Sequence, residues 1–175
     1  MKISMTRRTV ISALLVLALV AAFALYLFQP WRAFTTTTVN ESLPSAGSAA
    51  SAPAAKTGTG DKELARGRFV SHEHDTSGTA RTLGLADGSR LLRLEGLKTS
   101  EGPDVRIYLS TRSAAGAEKG LGDGAVELGK LKGNQGNQNY AVASGTDLSR
   151  FHSAVVWCKR FSVSFGAADL DAMAR

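Results

Sequence analysis

The C-terminal part of this chain predicts an all-β fold, an antiparallel sandwich or barrel of about eight short strands. Three observations carry that expectation. Apolar residues recur with period two: Val105, Ile107 and Leu109 alternate with Arg106, Tyr108 and Ser110, as on a strand with one buried face. Polar or Gly-rich turns separate such stretches. The region from about Asp61 onward is long enough for one domain and too short for two.

The N-terminus differs. From Val10 to Phe28 every residue except Ser12 is apolar, close to the 20 or so residues with which a helix crosses a bilayer core. Lys2, Arg7 and Arg8 precede this run without an acidic residue, a bias that keeps the N-terminus cytoplasmic and sends the remainder across. Ala22-Phe23-Ala24 has the form of a cleavage site but lies inside the apolar run, so an uncleaved signal-anchor is expected over residues 1–32. Thr6-Arg7-Arg8-Thr9 loosely resembles a twin-arginine export signal, although paired arginines there read more simply as topogenic charge. Trp31 with Arg32 marks the outer membrane interface. Residues 33–62, rich in Ser, Ala, Gly and Thr with Pro44 and Pro53, hold too little apolar surface to offset the entropy of ordering. They read as a flexible tether. The expected result is a single-pass protein of the cell membrane with an extracytoplasmic β domain over residues 63–175.

Within that domain the strands follow one another closely. Ala86-Asp87-Gly88-Ser89 separates two of them, and Asp-Gly is a hairpin signal. Leu92 and Leu94 flank Arg93, Val126 and Leu128 flank Glu127, and Tyr140 and Val142 flank Ala141. Ala154 to Trp157 is apolar on both faces and reads as a central strand ending at Cys158. Phe161, Val163 and Phe165 alternate with Ser162 and Ser164, and only Ala167 to Ala174 has helical character.

The net charge of +6 invites a nucleic-acid partner, but its distribution excludes one. Residues 1–60 contribute +4 of it, and the domain mixes 16 basic with 14 acidic residues and has no basic and aromatic cluster. No Gly-x-Ser-x-Gly elbow, Walker loop or His-Glu-x-x-His helix is present, so whether the chain is an enzyme stays open. Gly120-Leu121-Gly122-Asp123-Gly124 lacks the Gly-Lys-Ser/Thr of a phosphate loop and reads as a surface turn.

Cys158 is the chain's single cysteine. Exported domains usually keep cysteines in pairs, so this thiol is a buried filler, half of an intermolecular bridge, a ligand or a redox group. Free cysteine often packs as a small hydrophobe. Lys159 and Arg160 follow it, and adjacent positive charge favours the thiolate. His72 and His74, spaced i and i+2 as on one strand face, are candidate metal ligands, with the thiolate as a third. His152 reads as a solvated loop side chain. Covalent c-type haem needs two cysteines and is excluded, whereas non-covalent haem on a cysteine thiolate is chemically allowed. Trp157 and Tyr140 read as core aromatics that would also serve to line a redox pocket.

Several segments together form a family pattern. Gly67-Arg68-Phe69 is followed by His74 and Ser77-Gly78-Thr79, then by Gly102-Pro103-Asp104-Val105 and Tyr108-Leu109-Ser110. Leu128-Gly129-Lys130-Leu131-Lys132-Gly133-Asn134 leads an amide-rich run to Tyr140, and Val155-Val156-Trp157-Cys158-Lys159-Arg160-Phe161 closes the pattern. Over roughly residues 64–170 the chain closely resembles the DM-thirteen domain, labelled an electron-transfer domain. The resemblance implies that Cys158 is the signature cysteine, a naked thiol or a ligand to a prosthetic group such as haem, and that His74 is the signature histidine. In bacterial members of this layout the domain sits outside the cytoplasm on a membrane anchor.

Three functions are therefore in play. The first is a membrane-tethered electron-transfer module working through Cys158, with an extracytoplasmic redox or protein partner. The second is a non-catalytic adhesion or binding domain in which the cysteine packs. The third is a metal site built on His74 and His72, with or without Cys158.

Overall fold

The computed structural model describes residues 7–29, 35–44 and 61–172. Trp31, Arg32 and most of the expected tether lie outside the described residues. Helix α1 covers Arg7–Phe28. At 1.5 Å per residue it is about 33 Å long, and its length and composition suit a bilayer crossing, with none of it buried inside the protein.

Every other principal element is a strand, as the period-two pattern predicts. β1 is Thr38–Asn40, β2 Lys62–Ser71, β3 Ser77–Gly84, β4 Arg90–Lys98 and β5 Val105–Ser110. β6 is Val126–Lys130, β7 Gln135–Val142, β8 Ser153–Cys158, β9 Val163–Asp169 and β10 Asp171–Ala172. They form one curled half-barrel sheet in the order β1-β7-β4-β3-β2-β9-β8-β5-β6, with β10 on the flank of β2. All pairings are antiparallel except β1 with β7. The β3–β4 hairpin turns at Leu85–Ser89, where Gly88 has φ 83° and Leu85 N–H donates to the Ser89 carbonyl at 2.8 Å.

The concave face of the sheet encloses the main core: Leu92, Leu94, Ile107, Leu109, Val156, Cys158, Phe165 and their neighbours. A second, smaller core lies on the opposite face of β5, β8 and β9. There Tyr108, Val155, Trp157 and Ala167 pack under the short helix α2, Ala114–Ala117. Every residue of β8 is buried because it is covered from both sides.

Two segments depart from the sequence expectation. The stretch from Ala167, expected to turn into a helix, continues β9 to Asp169 and then forms β10, because Ala167 and Ala168 each face one of the two cores. Phe161, expected within the last strand, lies in the β8–β9 turn and is 44% exposed.

One segment within the expected tether is itself part of the sheet. Thr38–Asn40 adds as a parallel edge strand to Gln135–Asn137, so residues 35–44 are a strap on the sheet. Thr35 through Thr38 and Val39 are all β-branched, a composition that suits a pleated edge. Polar contacts complete the docking. Lys132 Nζ lies 2.7 Å from Glu41 Oε1, Asn139 N–H donates to Glu41 Oε2 at 2.7 Å, and Arg93 donates to the Glu41 carbonyl at 3.1 Å. Arg93, on the strand face opposite Leu92 and Leu94, is thereby only 7% exposed.

Two outcomes follow for stability. Leu94 is fully buried, so Leu94→Ala is expected to cost about 2–5 kcal/mol in denaturant unfolding of the full chain in detergent. At Gly136, with φ +100°, a Cβ would lie 2.1 Å from the Val39 carbonyl oxygen. Gly136→Ala is expected to displace the strap, raising amide hydrogen exchange at Val39–Glu41 while leaving β3 and β4 protected.

Candidate functional site

Because the strands alternate in direction, the connections β2–β3, β4–β5, β6–β7 and β8–β9 all collect at one rim of the half-barrel. These are the connections that carry the family-like segments. The Gly102-Pro103-Asp104 turn enters β5, and the Asp104 carbonyl accepts from Lys159 N–H at 2.8 Å. That bond ties the turn to the residue after Cys158. Leu131 N–H donates to the Val105 carbonyl at 2.9 Å, and Thr99 N–H to the Asn134 carbonyl at 2.9 Å. Asn134 returns a side-chain bond to the Thr99 carbonyl at 3.1 Å. A Cβ on Gly102 would come 2.9 Å from Val105 Cγ2 and 3.1 Å from Phe165 Cζ, so glycine is what lets this turn lie flat on the core.

Between the Gly102–Asp104 turn and the Lys130–Asn134 loop is a mainly polar cleft of about 340 Å³, closed on one side by Thr37 of the strap and Gln29 just after α1. The amide-rich loop is its wall. Gln138, fully buried, holds that wall in shape: its Nε2 donates to the Gly133 carbonyl at 2.6 Å, and its Oε1 accepts from Lys132 N–H at 3.2 Å. Tyr140 Oη donates to the same Oε1 at 2.7 Å. Sequence reading noted the amides of this run without singling out Gln138. Its signal was a glutamine at a position facing inward with Tyr140 and Val142.

Cys158 ends β8 opposite Val105 and Val163, and it is fully buried in the main core. Val105, the strand partner of Cys158, lines the cleft, and Cys158 does not. A prosthetic group ligated by this sulfur does not fit the arrangement, since the sulfur's surroundings are hydrocarbon. Lys159 and Arg160, read from sequence as activating neighbours, turn outward and are exposed. Lys159 Nζ lies 3.1 Å from Glu127 Oε2, and Arg160 donates to the Leu27 carbonyl at 2.8 Å.

The other candidates are not brought onto the thiol together. The His74 ring packs on Phe165 with centroids 3.9 Å apart, and Phe165 shares the main core with Cys158. His72 Nδ1 instead lies 2.7 Å from Ser164 Oγ. Ser164 and Phe165 are successive strand residues and point to opposite faces, so the two imidazoles are directed apart. Both histidines sit in a bend after β2 rather than on a strand, which removes the i, i+2 alignment expected of them. Among the described residues no group of three His, Cys, Asp or Glu side chains is placed to hold a metal ion. Trp157 faces the second core, away from Cys158, and Tyr140 lies in the main core with its hydroxyl committed to Gln138. Neither lines the cleft. His152 is exposed.

Charged groups flank the rim. Arg106 bonds Asp104 at 2.8 Å and also Glu127, and Tyr108 Oη donates to Glu127 at 2.7 Å. The Tyr108 hydrogen bond, reinforced by Arg106 and Lys159 against the cost of burial, holds the Glu127 carboxyl down to about 2. Burial and the same carboxylate push Tyr108 up to about 12. Burial alone would raise the Glu41 carboxyl, but Lys132 and the Asn139 N–H more than offset it and the group lies below the ordinary range.

A family model described as electron transfer DM13 matches residues 68–170. The chain belongs to this DM13 family. No curated protein and no solved structure matches it. The DM13 match spans every strand from the end of β2 through β9 and includes the cleft, His74 and Cys158. β1 and the strap precede it.

The Glu127 cluster sets a pH dependence. A carboxyl whose folded pKa is depressed contributes stability above its unfolded pKa of about 4.3, and that contribution fades as pH falls toward the folded value. The acid limb of wild-type stability is therefore expected to slope between about pH 4.5 and the folded value of about 2. Glu127→Gln should flatten that limb in denaturant titrations run at successive pH values, and Tyr108→Phe should flatten it partly.

Proposed function

We propose that the chain is a membrane-tethered electron-transfer module, with α1 as its anchor, the β domain on the extracytoplasmic side and Cys158 as a shielded redox thiol. Membership of the DM13 electron-transfer family supports the class of function. The observation that carries the assignment to Cys158 is the convergence of the Gly102–Asp104, Lys130–Asn134 and Cys158–Lys159 segments around one strand end. In the closed arrangement the thiol is inert, because reactivity needs access as well as thiolate character. Access requires local opening of the Gly102–Asp104 turn away from Val105, a movement confined to a rim connection and independent of global unfolding. A redox or protein partner seated in the cleft is the natural trigger. Lys2, Arg7 and Arg8 at the start of the chain and the apolar length of the helix support the orientation.

A second reading has its own support. Full burial of Cys158 among Val105, Val156 and Phe165 is what a packed, non-catalytic cysteine shows, and the cleft would then be a binding site in an adhesion-type domain. One variant separates the two. Cys158→Ala should lose about 1–3 kcal/mol of stability under either reading. Under the electron-transfer reading it also abolishes electron exchange between the detergent-solubilised chain and a small soluble redox mediator, measured by stopped-flow absorbance in the mild denaturant that opens the rim of the wild type. Exchange at the wild-type rate in the folded variant would leave the cysteine a packing residue. The native thiol should react with a maleimide far more slowly than an exposed cysteine does, at a rate that rises in mild denaturant.

A further inference from the structure

We infer that the rim bearing the β8–β9 turn lies against the phospholipid headgroup layer around α1, with Phe161 seated at the interface and Arg160 directed to headgroup phosphates. The inference rests on the anchor reading of α1 proposed above. Two independent routes lead to this rim. The covalent route is short: only residues 30–34 separate Gln29 at the end of α1 from Thr35, a span of at most about 20 Å when fully extended. Thr35 Oγ1 donates to Glu101 Oε2 at 2.9 Å and Thr37 Oγ1 to Glu101 Oε1 at 2.6 Å. Thr37 N–H donates to Asn134 Oδ1 at 2.7 Å. The strap therefore enters the sheet beside the Gly102–Asp104 turn, at the cleft end of the domain.

The second route is through space. Phe161 stacks on Phe28 with ring centroids 5.8 Å apart, and Arg160 reaches the Leu27 carbonyl at the last turn of α1. The Lys159 N–H bond to the Asp104 carbonyl joins the two routes. Residues 45–60, which read as the body of the tether, run between the strap and β2. Both of those are strands of one sheet, so this connection leaves and rejoins the same domain and adds nothing to its reach from the membrane. Residues 30–34 are thus the whole covalent connection between the helix and the domain.

The chemistry of the turn suits that position. Phe161 is 44% exposed, and exposed Phe, Trp or Leu flanked by basic side chains is the composition of surfaces that lie in a membrane–water interface. Of the carboxylates beside the turn, Asp104 is matched by Arg106 and Glu127 by Arg106 and Lys159, Glu101 accepts from Thr35 and Thr37, and Glu73 and Asp75 stand exposed in the β2–β3 connection of the same rim. Among the described residues no carboxylate pairs with the exposed Lys130 or with Arg160, whose Nη1 donates to the Leu27 carbonyl and whose other guanidinium N–H groups can face phosphate. The opposite rim, which carries Asp87 and Ser89, would point away from the membrane.

Collisional quenching on the full chain in nanodiscs tests the placement. Phe161→Cys and, at the opposite rim, Ala86→Cys are each labelled with a fluorophore, and wild type carried through the same labelling supplies the background from buried Cys158. Nickel chelated to lipid headgroups is the quencher. The 161 label is expected to be quenched several-fold more than the 86 label. Equal quenching in chains that stay with the membrane through carbonate extraction overturns the rim placement and leaves the anchor intact. Release by carbonate overturns the anchor reading and the placement with it. Circular dichroism checks that the sheet is kept, and Arg160→Cys replaces Phe161→Cys if that variant does not fold.

Discussion

Successive residues of a strand face opposite sides of the sheet, and in this half-barrel both sides are partly covered. That one constraint decides the fate of most chemically interesting residues. At the end of β8 it sends Cys158 into the main core while Trp157 enters the second core and Lys159 turns to solvent. At β9 it holds His74 against Phe165 on one face and His72 against Ser164 on the other. Proximity in sequence therefore becomes separation in space wherever two neighbours share a strand.

The same geometry gathers distant segments. Alternating strand directions place the connections that follow β2, β4, β6 and β8 at one rim, where backbone hydrogen bonds lock Asp104 to Lys159, Val105 to Leu131 and Thr99 to Asn134. The cleft is the gap left between two of these connections. Its wall is shaped by a buried amide, Gln138, whose polar atoms are satisfied by the loop that it organises. An unsatisfied amide at that depth would cost about 1–3 kcal/mol, so loop and side chain specify one another.

The strap changes how the domain relates to the helix. By adding β1 to β7 it leaves only residues 30–34 between the described end of the helix segment and the strap. It also covers Arg93, whose guanidinium donates to Glu95, Asn139 and the Glu41 carbonyl. The result is a cleft bounded by the strap, by Gln29 just after α1 and by the start of β5, the strand that pairs with the end of β8. Cys158 itself is fully buried, and reactivity of a thiol needs access as well as thiolate character.

By itself the sequence determined the all-β class, the β3–β4 turn at Asp87-Gly88, the core alternation of β5 and the apolar helix. Each of these depends on residues close in the chain: period-two patterning, a positive-φ glycine, an unbroken apolar run. The family segments also marked which connections matter. Only the tertiary structure decided that Thr38–Asn40 is a strand, since a short β-branched edge gains its hydrogen bonds from Gln135–Asn137 far along the chain. Likewise it decided that His72 and His74 diverge and that Cys158 is sealed from solvent. Burial and convergence depend on what packs from elsewhere in the fold, and no local pattern around these residues encodes that.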